Sequence, residues 1–256
     1  MPGKYHVVGE DPTARAARVG DLFAAVAPRY DLINDLQSFG LHRWWKRRLV
    51  RESGAGPGVR ALDVCCGTGD VAFALARAGA ETIGIDFSDA MLEVARRRTL
   101  KGEGGASPPR FQQGDALALP FAEASFDVVT ISYGLRNLAN LDDGLAELRR
   151  VLCPGGRLLI LDFGKPDFGP WRWVYFQYLR WFVPVLGRLF CGDRDTHGYI
   201  LESLQAYPGQ RGVDSRLRAM GFADTRVRQL LGGVMAINRG VRPSDAVVPK
   251  PEPAVR

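Results

Sequence analysis

The residues of this chain that could do chemistry gather around one glycine-rich turn. The run Asp63-Val64-Cys65-Cys66-Gly67-Thr68-Gly69-Asp70 sits after an apolar stretch and before a helical pattern. Glycine allows a tight turn and close approach of backbone to a ligand. Asp86 follows about twenty residues later, where a carboxylate can accept both hydroxyls of a ribose. Asp115, with Ala116 beside it, stands where a carboxylate or a backbone amide can meet an adenine edge. Ser132 stands at a fourth such end. The expected cofactor contacts are therefore Asp63, Gly67, Thr68, Gly69, Asp86, Asp115, Ala116 and Ser132. A dinucleotide would need a phosphate cradle, usually G-x-G-x-x-G, and Asp70 puts a negative charge where phosphate would approach. S-adenosylmethionine has no phosphate, and its sulfonium and ammonium groups welcome carboxylates. A nucleotide fold with an unrelated ligand, or an oxidoreductase binding NAD, stays open on the turn alone.

The elements that must position these residues alternate. ALDV (61–64), TIGID (82–86), RFQQGD (110–115), FDVVTISY (126–133) and RLLILDF (157–163) read as strands. VAFALARA, a stretch capped by Ser88 and LDDGLAELRRVL read as the helices between them. Strand–helix alternation implies parallel pairing and a doubly wound α/β sheet, whose ligands lie at the strands' carboxyl ends. Residues 1–12 read as a frayed arm. Val19, Leu22, Phe23 and Val26 recur at helical spacing, and Pro28 ends that helix. YDLINDLQSFGLH reads as a polar-aromatic loop before a short basic helix with Trp44, Trp45 and Leu49. Residues 13–53 would thus form an N-terminal helical cap. Residues 166–196 interrupt the alternation with an aromatic helical insertion bent at Pro184. A helix near 211–220 and a final strand pair follow, and a disordered tail is expected over 241–256.

Composition narrows the rest. The charge of +6 suits a polyanion, an anionic membrane surface or an anionic substrate, as well as an ordinary basic surface. The four cysteines, Cys65, Cys66, Cys153 and Cys191, form no C-x-x-C pair, so neither a metal site nor a disulfide framework is expected. Cys65 and Cys66 read as small turn residues rather than nucleophiles. The N-terminus has no apolar core of signal-peptide type, and no stretch of 18 uninterrupted apolar residues exists. The expected location is the cytoplasm, including the inner face of the cell membrane. In the insertion, Trp171, Trp173, Tyr178 and Trp181 could sit at a lipid interface with Arg172, Arg180 and Arg188 facing phosphates. The same apolar face could instead hold a prenyl tail, or be an ordinary buried cap.

The glycine-rich turn, the acid ending the second strand and Pro154-Gly155-Gly156 before the fifth together resemble the class I S-adenosylmethionine-dependent methyltransferases. That resemblance implies a Rossmann-like seven-stranded sheet with a terminal antiparallel hairpin over 222–240. Tyr30-Asp31-Leu32-Ile33-Asn34 continuing through Ser38 and His42 to Trp45, the turn CCGTGD, ISYGLRN (131–137), and Arg150 to Gly156 running on to Asp162-Phe163-Gly164 are similar to the ubiquinone/menaquinone biosynthesis C-methyltransferases. The likeness covers roughly residues 15–240. Departures are Ile33 for Met, Gln37 for an aliphatic residue, Cys153 for Lys, Asp162 for Glu and Gly164 for Ser. The resemblance implies ring-carbon methylation of a prenylated quinol, the last step of menaquinone synthesis being favoured over a ubiquinone or phylloquinone precursor. Nucleic acid is not an expected partner, and oligomeric state is left open. An electron-rich carbon beside a quinol hydroxyl would attack the sulfonium methyl. Arg136 would then act as cationic partner to the developing phenolate and Asn137 as hydrogen-bond donor, with His42 or Tyr30 relaying the proton. For Arg136 a structural ion pair is the competing reading. Methylation of another small molecule or RNA, and a non-catalytic peripheral membrane protein retaining the fold, are the alternatives.

Overall fold

The computed structural model describes Ala27, residues 30–185 and residues 195–244, with no side-chain account for 195–199 and 202. The expected arm, the helix carrying Val19 to Val26, Arg188, Cys191 and the tail beyond 244 lie outside the described residues.

Seven strands form one sheet: β1 (Arg60–Val64), β2 (Glu81–Asp86), β3 (Arg110–Gln113), β4 (Phe126–Ser132), β5 (Leu152–Phe163), β6 (Ala223–Leu230) and β7 (Met235–Val241). Their order is β3-β2-β1-β4-β5-β7-β6. The first five pair in parallel, while β7 runs antiparallel to both β5 and β6. This is the Rossmann-like sheet with a terminal hairpin that the resemblance implied. The chain winds outward from β1 to β3, then returns across the sheet to β4. The order therefore reverses between β1 and β4, which opens a crevice at their carboxyl ends.

Helices cover both faces. They are α1 (Tyr30–Ser38), α2 (Leu41–Ser53), α3 (Asp70–Arg77), α4 (Asp89–Leu100), α5 (Leu141–Val151), α6 (Gly169–Gln177), α7 (Asp195–Ala206) and α8 (Gly209–Ala219). The period-2 alternation of strands sorts the core. Leu62, Val64, Val129, Ile131, Leu158 and Ile160 pack with α5, α6 and α8 on one face. Ala61, Val128, Leu159 and Leu161 pack with Trp45 and Leu49 of α2 and Val71 and Leu75 of α3 on the other. Because β1 is buried along Ala61–Val64, it reads as a continuous apolar run broken only by Asp63.

Four sequence expectations change. Residues 30–38, read as loop, form α1: Ile33 is buried against Met91, and the Ser38 hydroxyl donates back to the Asn34 carbonyl at 2.6 Å. Tertiary packing supplies what three scattered apolar residues do not signal. Phe39 and Gly40, both at positive φ, end it (50° and 72°). Asp115 does not end β3, which stops at Gln113; it sits in the following turn and bridges Ala118. Pro154-Gly155-Gly156 lies within β5, which follows α5 without a loop. The sheet also runs past 240: Val241 pairs with Arg157 and Ala223, and the Arg242 guanidinium donates to the Leu152 carbonyl at 2.8 Å.

The insertion is helical through Val185. Past α6 it widens into a π turn over Tyr178–Phe182. Pro184 has no N–H to return to the Arg180 carbonyl, and a wider turn absorbs that gap. No helix among the described residues is long and apolar enough to cross a membrane.

Candidate active site

The crevice between the ends of β1 and β4 is a cleft of about 910 Å³, open to solvent. Its walls come from the turns after β1, β2, β3 and β4, closed on one side by Tyr30 at the start of α1.

One half of the cleft is acidic. Asp86 lines it, and both carboxylate oxygens are fixed by backbone amides: Gly67 donates to Oδ2 at 2.7 Å and Ser88 to Oδ1 at 2.9 Å. Burial pushes the Asp86 pKa up while these amides pull it down. The remaining lone pairs are free to accept ribose hydroxyls. Ser88 also caps α4, its hydroxyl accepting from the Met91 amide at 3.4 Å. Asp115 and Ala116 line the next stretch of wall, with Asp115 Oδ1 held by the Leu117 amide at 2.9 Å. Gly67 sits at φ 54° with open space where a Cβ would project, so the cleft floor there is bare backbone. The Ser132 hydroxyl is buried at the rim without a partner among the described residues. Phe87, Met91 and Leu117 supply apolar surface beside these polar ends. A nucleoside with hydroxyls for Asp86, a base edge for Asp115 and Ala116, and a cationic end fits this set without a phosphate cradle. The residues present fit S-adenosylmethionine.

Three expected cofactor residues lie elsewhere. Asp63 is 1% exposed and does not line the cleft. It pairs in register with Thr130 on β4, whose hydroxyl donates to Asp63 Oδ1 at 2.7 Å, and both point at the α2–α3 face. Burial raises the Asp63 pKa to about 7, against the hydrogen bond from Thr130 and the Lys46 charge. Thr68 donates its hydroxyl to Asp31 at 2.9 Å, tying the glycine-rich turn to α1. Gly69 caps α3 at φ 92°, and a Cβ there would meet Phe111 and Phe73 at 2.8 and 2.9 Å. Both residues shape the turn from behind rather than from within the cleft.

Asp70 also needs correction. Its carboxylate does not face the cleft; it pairs with Lys46 at 2.8 Å and Arg98 at 2.7 Å, which hold its pKa well below the usual carboxylate range. Its charge is balanced, so it does not repel phosphate in the way the sequence suggested. Gly67, Gly69 and Ala72 keep the G-x-G-x-x-G/A spacing, so the turn alone does not separate a dinucleotide from S-adenosylmethionine. Cys65 lines the cleft at φ 53°, and burial pushes the thiols of Cys65 and Cys66 well up, so neither is poised as a thiolate.

The residues expected to do the chemistry divide in the same way. Tyr30 and Asn137 line the cleft. Asn137 Nδ2 donates to the Tyr133 carbonyl at 3.1 Å. Arg136 does not line the cleft. It is buried in an ion pair with Asp162 (Nη1–Oδ1 2.8 Å), donates to the Tyr133 carbonyl at 2.7 Å, and lies over the Phe163 ring at 4.6 Å. The structural ion pair is therefore present, and direct contact with a phenolate is not part of this geometry. His42 is also away from the cleft: its Nε2 meets Asp35 at 2.8 Å, and burial lowers its pKa. It locks α1 to α2. Tyr133, Gly134, Leu138 and Ala139 line the β4 side; the first two fall within ISYGLRN but were given no role from the sequence, and the other two were not singled out.

Asp63 gives a pH prediction. Its folded pKa lies above the unfolded value of ~3.9, so the folded state keeps a proton that the unfolded state loses. The associated stability is full below that value and drains away as pH rises towards about 7. Asp63→Asn is expected to flatten the fall in Tm between pH 4.5 and 8. A variant with the same slope as the parent would remove the assignment.

Comparison with known proteins gives the chain its lineage. The sequence pattern of the ubiE/COQ5 methyltransferase family matches residues 12–242. The ubiquinone/menaquinone biosynthesis C-methyltransferase UbiE of Azotobacter vinelandii is 41% identical over 242 residues, spanning 93% of this chain and 94% of that protein. The demethylmenaquinone methyltransferase of Renibacterium salmoninarum is 40% identical, spanning 89% and 93%. Among solved structures, a SAM-dependent methyltransferase from Aquifex aeolicus superposes with a TM-score of 0.58 at 17% identity, over 83% of this chain and 97% of that one. A phosphoethanolamine N-methyltransferase from Haemonchus contortus, in complex with S-adenosyl-L-methionine, gives 0.60 at 16% identity, over 78% and 52%. The structural likenesses carry the fold, and the sequence likenesses carry the lineage. This chain belongs to the ubiE/COQ5 methyltransferase family and is an S-adenosylmethionine-dependent methyltransferase.

Proposed function

We propose that the chain methylates a ring carbon of a prenylated quinol, converting demethylmenaquinol to menaquinol. The carrying observation is the likeness to quinone-ring methyltransferases along nine-tenths of both chains, one of them named for demethylmenaquinone. The cleft supports it chemically. Its carboxylates sit on the β1–β3 side, leaving the β4 side to Tyr30, Tyr133, Asn137, Leu138 and Ala139. That half is apolar with hydrogen-bonding tips, which suits an aromatic ring bearing hydroxyls.

S-adenosylmethionine, when bound, supplies an electrophilic methyl group. The chain's own work is alignment, shielding from water and stabilisation of the acceptor oxygen. Burial raises the Tyr30 pKa, so its phenol stays a donor rather than a base at neutral pH. Asn137 is a second donor on that wall. Arg136 and Asp162 act behind them by pinning the Tyr133 carbonyl and hence the turn carrying Asn137. In a test with reduced acceptors, kcat/KM is expected to favour the demethylated naphthoquinol over a methoxy-benzoquinol of equal prenyl length. A preference for the benzoquinol would move the reading to ubiquinone synthesis, and methylation of RNA alone would discard it.

A prenylated acceptor lives in lipid, and we propose that the chain meets it by docking on an anionic membrane surface. Trp173 and Trp181 are each 65% exposed and Phe39 is 72% exposed. Phe39 stacks on Phe182, joining the α1–α2 corner to the insertion, and Arg172 and Arg180 are exposed on the same segment. Aromatic rings with adjacent cations suit a headgroup layer. Meanwhile Tyr175, Leu179 and Val183 are buried in the core, so the segment is both a cap and a surface. Trp173→Ala with Trp181→Ala is expected to weaken partitioning onto anionic vesicles about thirtyfold, given ~1 kcal/mol per ring lost from the interface. Unchanged partitioning would refute the docking face.

A further inference from the structure

Among the described residues of the cleft wall, Tyr133 combines a left-handed backbone with a buried polar tip that has no partner. It follows Ser132 at the end of β4 with φ 60°, a left-handed conformation uncommon for a bulky side chain. Such strain persists only where the surroundings enforce it, and it concentrates at functional positions. The enforcement is visible. Its carbonyl receives both Arg136 Nη1 at 2.7 Å and Asn137 Nδ2 at 3.1 Å, and its amide donates to the Leu161 carbonyl at 2.8 Å. Its ring is held edge-on by Phe163 at 5.8 Å, with Lys46 Nζ 5.8 Å from the ring centroid. All this fixes the direction of one phenol, and that phenol is buried with no partner among the described residues. A buried hydroxyl without a partner costs about 1–3 kcal/mol, so a residue held so tightly in that state points to a ligand atom.

The ligand atom can be placed by side. Cofactor-type groups occupy the ends of β1, β2 and β3, whereas Tyr133 belongs to the β4 wall with Asn137 and Leu138. Burial and the nearby Asp162 keep the phenol protonated far above neutral pH, so it acts as a donor. We propose that the Tyr133 hydroxyl positions the methyl acceptor by donating a hydrogen bond to a ring oxygen of the quinol. This rests on the quinol reading above and adds a specificity-determining residue to it. A ring lacking that oxygen, or carrying a methyl ether there, leaves the phenol unpaired and binds more weakly.

Tyr175 provides the control. Its hydroxyl is also buried without a partner among the described residues, and it too lies near Arg136 and Asp162, but it does not line the cleft. Tyr133→Phe and Tyr175→Phe each remove only a phenolic oxygen and so keep the packing. The experiment measures, for wild type and both variants, thermal stability, the Kd for S-adenosylmethionine, and KM and kcat with reduced demethylmenaquinone. Tyr133→Phe is expected to raise the acceptor KM about tenfold and to leave the cofactor Kd within twofold of wild type, while Tm rises because the unpaired hydroxyl is gone. Tyr175→Phe is expected to raise Tm likewise and to leave the cofactor Kd, KM and kcat near wild type. An unchanged acceptor KM in Tyr133→Phe, an equal rise of KM in both variants, or a weaker cofactor Kd in place of a raised KM would each overturn the proposal. Wild type inactive on reduced demethylmenaquinone and on a benzoquinol alike would instead overturn the quinol reading beneath it.

Discussion

Asp86→Ala is expected to weaken S-adenosylmethionine binding about 100-fold in calorimetry. Two hydroxyl hydrogen bonds to one carboxylate are worth roughly 3 kcal/mol together, and 1.4 kcal/mol is tenfold in affinity. The loss reaches beyond the ligand, because the same carboxylate holds the amides of Gly67 and Ser88. The variant therefore loosens the glycine-rich turn and the cap of α4 as well as the ribose contact. Asp86→Asn separates the two effects. Its amide oxygen can retain one backbone donor, so its stability should approach that of the parent while its affinity stays low. Parental affinity in Asp86→Ala would remove the ribose role.

The second large effect belongs to the buried pair. The side chains of Arg136 and Asp162 are 6% and 2% exposed. Asp162 also accepts from the amides of Arg136 and Phe163. Removing one partner strands a charge in the interior, which costs about 3–5 kcal/mol. For a chain of this length that lowers Tm by roughly 10 °C or more. Asp162→Ala is expected to show this loss. Arg136→Met with Asp162→Leu, which buries no unpaired charge, is expected to recover most of it. Turnover should not return in the double variant, because the Tyr133 carbonyl has lost its Arg136 donor and the acceptor wall its rigidity. Arg136→Ala should likewise lower kcat more than cofactor affinity. If the double variant regained both stability and turnover, the pair would be a fold element alone.

The parallel strands were legible because their signals are local: buried apolar runs, a glycine turn and acids at strand ends. Asp86 and Ser132 stand at the ends of β2 and β4, where those signals put them. The acidic half of the cleft followed, since topology alone brings strand ends together. What stayed hidden was the direction in which each side chain points. Asp63 and Thr68 share a short motif with Gly67, yet only Gly67 faces the cleft. Strand alternation sends Asp63 to Thr130, and Asp31 captures Thr68 from 37 residues away. The charge of Asp70 read as exposed because Lys46 and Arg98 are remote in sequence. Arg136 misled for a related reason: Asp162, its partner, is 26 residues on and belongs to β5. α1 was missed because its helicity comes from packing Ile33 on Met91, a contact that no local pattern announces.

The most direct test uses S-adenosylmethionine carrying a 13C methyl group, reduced demethylmenaquinone and the purified chain, with the product examined by NMR. The account predicts one labelled methyl on the ring carbon of the naphthoquinol and none on oxygen. A labelled methyl ether, or label recovered only in another acceptor, would contradict it.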